Sequence, residues 1–128
     1  WELRERFDFL IGKRTDRRSP LPRKLISLAS RTTVKLFYGT GVYDVNSPYR
    51  LIRSEAFKEL FFKIPETTFA PNVIISGVAS KKRLRIFETE VPYKLRTTGE
   101  VSIKKWKLFK AALKSYEETI SFLLSNKI

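Results

Sequence analysis

Only two segments of this 128-residue chain have the apolar pattern of a β-strand, and three helical segments lie between them. The first strand segment is residues 7–12 (FDFLIG), a short apolar run that ends at Gly12. The second is residues 84–96 (LRIFETEVPYKLR), in which apolar and polar side chains alternate imperfectly. Two strands are too few to make a sheet alone, so this order predicts part of an α/β domain.

The three intervening segments have helical periodicity, and each has a start or stop signal. They are residues 23–39, which Gly39 ends; residues 54–64, between a Ser54 cap and Pro65; and residues 67–82, with a threonine cap and Pro71 in the first turn. Three loops complete the pattern: residues 13–23, broken by prolines; residues 44–53 (DVNSPYRLIR); and residues 96–102.

A long basic amphipathic helix is predicted from about residue 104 onward. Its apolar stripe consists of Trp106, Phe109, Leu113, Tyr116, Ile120 and Leu124, and the lysines beside it are Lys104, Lys105, Lys107, Lys110 and Lys114. Such a helix suits an anionic membrane surface, and the alternative is that the stripe packs on its own domain. Its charge-free run is far shorter than the ~20 residues that cross a bilayer. The predicted units are residues 1–103 and 104–128.

Composition restricts the function classes. The chain has 26 Lys and Arg against 13 Asp and Glu, and the net charge of +13 favours nucleic acid, anionic lipid or phosphorylated small molecules, or else is a well-solvated surface. Cysteine and histidine are absent, which excludes thiol nucleophiles, disulfides, zinc fingers and histidine bases. The length suits one domain, and the start at Trp1 without a signal pattern suggests a fragment.

Basic residues recur in all three loops. They are Lys13, Arg14, Arg17, Arg18, Arg23 and Lys24 in the first, Arg50 and Arg53 in the second, and Lys94 and Arg96 in the third. Because binding sites are built on loops, we expect these side chains to converge on one anion. Any single arginine is better explained as a solvated side chain. The planar guanidinium suits a phosphate, however, so the whole set predicts a phosphate site.

Several stretches, in this order, resemble the C-terminal half of family-two glycosyltransferases, most closely the dolichol-phosphate mannosyltransferase and polyprenyl-phosphate sugar transferase subgroup. They are FDFLIGKRTDRR…LPRKLIS, GVYDVNSPYRLIRSEAF and FAPNVIISGVASKKRLRIFETEVPYKLRTTGEVS, which together span roughly residues 7–103. The resemblance implies the C-terminal portion of a GT-A (nucleotide-diphospho-sugar transferase) fold with few strands and several helices. It also implies an inverting enzyme that moves a sugar from a nucleotide-diphosphate sugar to a polyprenyl or dolichyl phosphate or a cell-surface glycan.

Matched motif by motif, the resemblance implies five residues that bind substrate phosphates. They are Arg14 in IGKR, Arg23 in PLPRK, Arg50 in DVNSPYR, and Arg96 and Ser102 in RTTGEVS. Gly99 is the implied hinge of this last loop, which closes over the phosphates. Pro48 stands where the family has glycine, so the backbone of the 44–53 loop is expected to differ from the family's.

The implied chemistry suits a site without histidine. A lipid monophosphate has a second pKa near ~6, so it is largely dianionic at neutral pH and needs no strong base. Cations must hold two anions together while a metal stabilises the departing nucleoside diphosphate. A hydroxyl acceptor would need a carboxylate base, for which Asp44 is the best candidate; the alternative for Asp44 is an Asx turn or a salt bridge to Arg50.

The metal-binding part of such an enzyme is not recognisable in this sequence. The family binds Mg²⁺ or Mn²⁺ through an Asp-x-Asp motif, whereas this chain contains Asp8, Asp16 and Asp44 and no such pair. We therefore expect the metal ligands and most of the nucleotide pocket to lie upstream of Trp1. On that expectation the chain alone transfers no sugar.

The resemblance also implies partners and a location. It implies a cytoplasmic protein peripheral to a membrane, which binds the nucleotide sugar and the acceptor and binds no nucleic acid. The pattern of the last helix adds a predicted contact with an anionic membrane surface. Two other classes stay open. One is a basic nucleic-acid-binding module, with Phe37, Tyr38, Tyr43 and Tyr49 as stacking surfaces; the other is a noncatalytic membrane-surface scaffold built on the last helix.

Overall fold

A computed structural model describes residues 1–15, 21–92 and 105–126 of the chain. The elements in chain order are β1 (Phe9–Thr15), α1 (Leu21–Phe37), β2 (Arg50–Ile52), α2 (Ser54–Lys63), α3 (Pro71–Lys81), β3 (Ile86–Pro92) and α4 (Lys105–Ser125). The mixed α/β architecture predicted from the order of segments is confirmed. The difference is β2, which lies inside the segment that was predicted to be a loop throughout.

The three strands form one sheet in the order β2-β1-β3. β1 is central, pairing parallel with β3 from Phe9↔Ile86 to Thr15↔Pro92 and antiparallel with β2. Since a parallel pair needs a crossover, α1, α2 and α3 all lie between β1 and β3 in the chain. β2 is only three residues long, which is too short for an alternating pattern to be visible in the sequence. Only its pairing with β1 in the structure identifies it as a strand.

β1 does not end at Gly12, as the sequence predicted, but continues to Thr15. The reason for glycine at this position is close packing within the sheet. A Cβ atom on Gly12 would lie 2.8 Å from the Cβ of Tyr49 and 2.9 Å from a methyl group of Val91. The continuation places Lys13 and Arg14 at the carboxyl end of a strand rather than in a loop.

The helix starts differ from the prediction at their caps. Arg53 rather than Ser54 is the N-cap residue of α2, and Ala70 rather than a threonine is that of α3; neither makes a side-chain cap hydrogen bond. Pro71 at the start of α3 is confirmed, as is the stop at Gly39, whose φ of 100° suits glycine.

The core surrounds α3, in which every residue from Val73 to Ser80 is buried. The sequence predicted a single apolar side, but a helix that is apolar nearly all round is typically buried on all sides. Phe9, Ile11 and Phe57 pack in the same apolar cluster. Phe69, which was predicted to belong to the apolar side of this helix, is exposed instead.

α4 packs on α1 and α3 through a face on which Ser115, Thr119 and Phe122 are buried. The Tyr38 hydroxyl donates a hydrogen bond to the Thr119 carbonyl (2.6 Å). The predicted apolar stripe is not the packed face: Trp106, Phe109, Leu113, Tyr116 and Leu124 are exposed, and Ile120 is half-buried. None of the described helices is long and apolar enough to cross a membrane.

The contact between α1 and α3 gives a test of the packing. A Cβ on Gly77 would lie 2.8 Å from the Tyr38 ring, which is itself only 2% exposed. Gly77→Ala should therefore destabilise the fold by about 1–3 kcal/mol, even though alanine is favoured over glycine in a helix by about 1 kcal/mol. Urea unfolding should show a lower midpoint at an unchanged slope.

The Tyr38→Ala background is the control for this clash. In that background the Cγ and Cδ atoms that the added Cβ would meet are absent, so Gly77→Ala should cost markedly less. An equal cost in both backgrounds would contradict the assigned contact.

Candidate functional site

A cavity of about 470 Å³ opens at the carboxyl ends of β1 and β3, between α1 and the segment Tyr43–Asn46. Its lining residues are Lys13, Arg14, Lys24, Ile26, Ser27, Leu28, Ser30, Arg31, Tyr43, Asp44, Val45, Asn46 and Glu90. Ligands of α/β proteins bind in crevices beyond the carboxyl ends of the strands. The cavity is therefore at the position where this class of fold builds its sites.

A buried ion pair forms one wall of the cavity. Arg14 Nε lies 2.7 Å from Asp44 Oδ2 and Arg14 Nη2 lies 2.8 Å from Asp44 Oδ1, a bidentate geometry. The side chains are only 14% and 6% exposed. The partner of Asp44 is thus Arg14, not the Arg50 that the sequence suggested. Both carboxylate oxygens accept from Arg14, so Asp44 would act as a base only after this pair opened.

The backbone around Asp44 is held by the sheet. The Glu88 carboxylate on β3 accepts hydrogen bonds from the backbone N–H groups of Tyr43 (3.1 Å) and Asp44 (2.9 Å). The Ser47 hydroxyl donates to the Gly12 carbonyl (2.5 Å), and Ser76 donates to the Val45 carbonyl (2.8 Å). Side chains of Glu88, Ser76 and Ser47 therefore fasten residues 43–47 to β3, α3 and β1, and Pro48 next to them is exposed.

Arg50 is directed away from the cavity. Its guanidinium donates to the carbonyls of Ser47 (2.6 and 2.9 Å), Asn72 (3.2 Å) and Val45 (3.4 Å). Burial lowers the pKa of Arg50 to about 10, so the group remains charged at neutral pH. Arg50 thus stabilises the backbone of neighbouring segments. Its predicted phosphate contact stays a prediction, and the described hydrogen bonds of Arg50 do not favour it.

Arg31 lines the cavity and was missed by the sequence prediction, whereas Lys13 was among the basic loop residues predicted to bind an anion. The Arg31 guanidinium carbon lies 3.5 Å from the centroid of the Tyr43 ring, and Lys13 Nζ lies 4.7 Å from it. Lys13 also pairs with Glu90 (3.3 Å). A signal was present in the sequence: Lys24, Ser27 and Arg31 are three and four residues apart, which places them on one face of α1.

The structure does not describe four other predicted site residues in full. Arg23 lies in the first turn of α1, but the position of its side chain is not described. Arg96, Gly99 and Ser102 lie outside the described residues. Their predicted roles stay predictions. Within residues 1–15, 21–92 and 105–126, no group of three or more Asp or Glu side chains is placed to hold a metal ion. Tyr38 is buried, so the stacking role considered for it is wrong.

Comparisons of the chain with protein families, curated proteins and solved structures find no significant match. The resemblance to family-two glycosyltransferases therefore remains a prediction that rests on the motifs of the sequence alone.

The ion pair in the cavity wall gives a second test. Asp44→Asn leaves the Arg14 charge buried without a counter-charge, which should destabilise the fold by about 3 kcal/mol in urea unfolding. The double variant Asp44→Asn/Arg14→Gln should cost less than the sum of its single variants.

The control is Glu90→Gln, which removes a carboxylate of the more exposed Lys13 pair and should cost less than about 1 kcal/mol. If Asp44→Asn cost no more than Glu90→Gln, the pair would not be fastening the wall.

Proposed function

We propose that this chain is the acceptor side of a family-two glycosyltransferase with a GT-A fold, which transfers a sugar with inversion from a nucleotide-diphosphate sugar to a lipid phosphate or a glycan. The observation that carries the proposal is the cation-lined cavity at the carboxyl end of a parallel strand pair. Arg14, matched by motif to a phosphate contact, lies in its wall. Independent support comes from the net charge of +13, which attracts anionic substrates by steering.

A phosphate acceptor suits the chemistry of this cavity better than a hydroxyl acceptor. The phosphate is itself a dianion, so the site must supply positive charge and correct placement rather than a base. The cavity offers lysine and arginine side chains, and its two carboxylates are already paired with Arg14 and Lys13. Among the two proposed acceptors, we therefore favour the polyprenyl or dolichyl phosphate over the glycan.

A divalent metal would act on the donor side of the reaction. When bound there, Mg²⁺ or Mn²⁺ stabilises the charge of the departing nucleoside diphosphate. The three aspartates of this sequence contain no Asp-x-Asp pair, and the described carboxylates form no metal cluster. We propose that the ligands of the metal and most of the nucleotide pocket belong to a part of the enzyme other than these 128 residues.

Membrane contact through α4 is part of the proposal. The exposed stripe includes Trp106 and Leu124, which are 68% and 80% exposed, and Lys107, Lys110 and Lys114 lie beside it. An amphipathic helix with aromatic residues on one side and lysines on the other binds anionic lipid surfaces. Such contact would keep a lipid-linked acceptor near the cavity. It would also place the chain at the cytoplasmic face of a membrane as a peripheral protein.

The ligand class can be tested by NMR titration of the chain with farnesyl phosphate below its micelle concentration. We expect chemical-shift changes at the cavity residues Ser27, Tyr43 and Asn46. GDP-mannose and UDP-glucose, each with Mn²⁺, should bind no tighter than the millimolar range in calorimetry, because the donor pocket is incomplete. Micromolar, metal-dependent binding of either sugar nucleotide would contradict the proposed division of the site.

A second titration, with an oligonucleotide, distinguishes the proposed function from nucleic-acid binding. A random single-stranded oligonucleotide that bound tightly at physiological salt, with a steep salt dependence and with no effect of farnesyl phosphate on the cavity, would favour that function instead.

Membrane contact is tested by flotation with phosphatidylcholine vesicles containing about a third phosphatidylglycerol. The chain should float with these vesicles, less so as salt rises, because each lysine near the surface contributes about 1 kcal/mol. Trp106→Ser/Leu113→Ser should abolish flotation. Phe62→Ser on α2 is the matched control, since Phe62 is 84% exposed but lies on another helix. Equal losses in the two variants would contradict a role for the α4 stripe.

A further inference from the structure

Two of the four cations that line the cavity have no carboxylate partner among the described residues. Arg14 is paired with Asp44 and Lys13 with Glu90. Lys24 and Arg31 make no described ion pair, although both line the same cavity. The cavity thus carries two positive charges that the described part of the protein does not balance.

Arg31 is held in place by an aromatic ring instead of a carboxylate. Its guanidinium carbon lies 3.5 Å from the centroid of Tyr43, a cation–π contact shared with Lys13. Tyr43 is in turn fixed through its backbone N–H, which donates to the Glu88 carboxylate (3.1 Å). A guanidinium stacked on its face keeps its N–H groups pointing outward in its plane, where they remain available to an anion.

The two cations share one side of α1. Lys24, Ser27 and Arg31 recur at three and four residues, and all three line the cavity. The Arg14–Asp44 pair forms another part of the lining. Arg14 lies on β1, and Asp44 lies in the segment that follows α1. A ligand in this cavity therefore meets the Arg14–Asp44 ion pair and two cations, Lys24 and Arg31, that no carboxylate of the described residues balances.

We propose that Lys24 and Arg31 bind a phosphomonoester dianion, and that Tyr43 is the residue that positions Arg31. This inference rests on the proposed function, because it identifies which cations hold the acceptor phosphate. Two uncompensated charges match the two negative charges of a monoester. A phosphodiester carries one negative charge and would leave one of the two cations without a counter-charge. Because the dianion is attracted more strongly than the monoanion, the cavity should select monoesters over diesters.

The test compares methyl phosphate with dimethyl phosphate, which differ by one charge and little in shape, in NMR titrations of the complete 128-residue chain at pH 7.5. Methyl phosphate should bind at least about tenfold more tightly, with shifts at Lys24, Ser27 and Arg31. Its affinity should fall as pH drops through the second pKa of the phosphate, near ~6, because the monoanion then predominates.

Variants identify the groups responsible. Arg31→Gln and Lys24→Gln should each weaken methyl phosphate about tenfold and should remove the preference over the diester. Arg6→Gln and Lys58→Gln remove the same charges at exposed positions outside the cavity, and they should leave the affinity nearly unchanged. These controls separate local binding from the effect of net charge.

Tyr43 is tested by a conservative pair. Tyr43→Phe keeps the ring under Arg31 and should bind as the wild type does, whereas Tyr43→Leu removes the ring and should weaken methyl phosphate severalfold. A structural role alone would affect stability in both variants without changing the preference for the monoester over the diester.

The outcomes separate this inference from the proposed function. If methyl phosphate binds the cavity but Arg31→Gln and Lys24→Gln have no effect, a phosphate site is present and the assignment of these two cations is overturned. Equal affinity for methyl and dimethyl phosphate overturns the selectivity. If neither ester binds and farnesyl phosphate also leaves the cavity unperturbed, the acceptor-site function fails, and the inference fails with it.

Discussion

The bidentate ion pair between Arg14 and Asp44 is the interaction on which the rest of the site depends. Removing two charges from water costs several kcal/mol per ion, so each side chain is tolerable in the wall only because the other is present. The pair joins the carboxyl end of β1 to a segment that begins after α1, residues that are 30 positions apart. The pair therefore ties together two of the elements that line the cavity.

Several weaker bonds hold the same segment in the same place. Glu88 accepts from two consecutive N–H groups, and Ser47 and Ser76 donate to the carbonyls of Gly12 and Val45. Arg50 donates to the carbonyls of Val45, Ser47 and Asn72. Buried backbone groups need such partners because an unsatisfied one costs about 1–3 kcal/mol. The segment DVNSPYR is polar because its side chains replace the ladder hydrogen bonds that regular secondary structure would have supplied.

This arrangement divides the arginines into two kinds. Arg14 and Arg50 stabilise the framework through a carboxylate and backbone carbonyls, whereas Arg31 is stacked on Tyr43 beside open space. Composition shows only that the chain is basic. The distinction follows from the partner of each guanidinium, since a neutralised cation attracts a further anion much less than an uncompensated one does. A phosphate ligand is accordingly best matched to the side of the cavity that α1 forms.

The exposed stripe of α4 shows a similar division. The sequence identified an apolar stripe that includes Trp106 and Phe109, and the usual expectation is that such a stripe packs on the domain. The structure packs Ser115, Thr119 and Phe122 instead, with the Tyr38 hydroxyl satisfying a carbonyl at the contact. The spacing of apolar residues indicates that a helix has an apolar face. Which face packs on a neighbouring helix depends on the shape of that neighbour.

Local signals in the sequence determined the α/β class, the three internal helices, the stop at Gly39 and the start of α3 at Pro71, because each depends on residues within a few positions of one another. The tertiary structure alone decided the extension of β1 beyond Gly12, the strand β2 and the partner of Asp44. Each of these depends on groups distant in the chain: Tyr49 and Val91 against Gly12, β1 against β2, and Arg14 against Asp44. Arg31 belongs with them, since helical spacing places it beside Lys24 and Ser27 but only the fold brings Tyr43 beneath it. Packing and the cost of burying an unpaired charge determine contacts of this kind. A local pattern of residues does not contain that information.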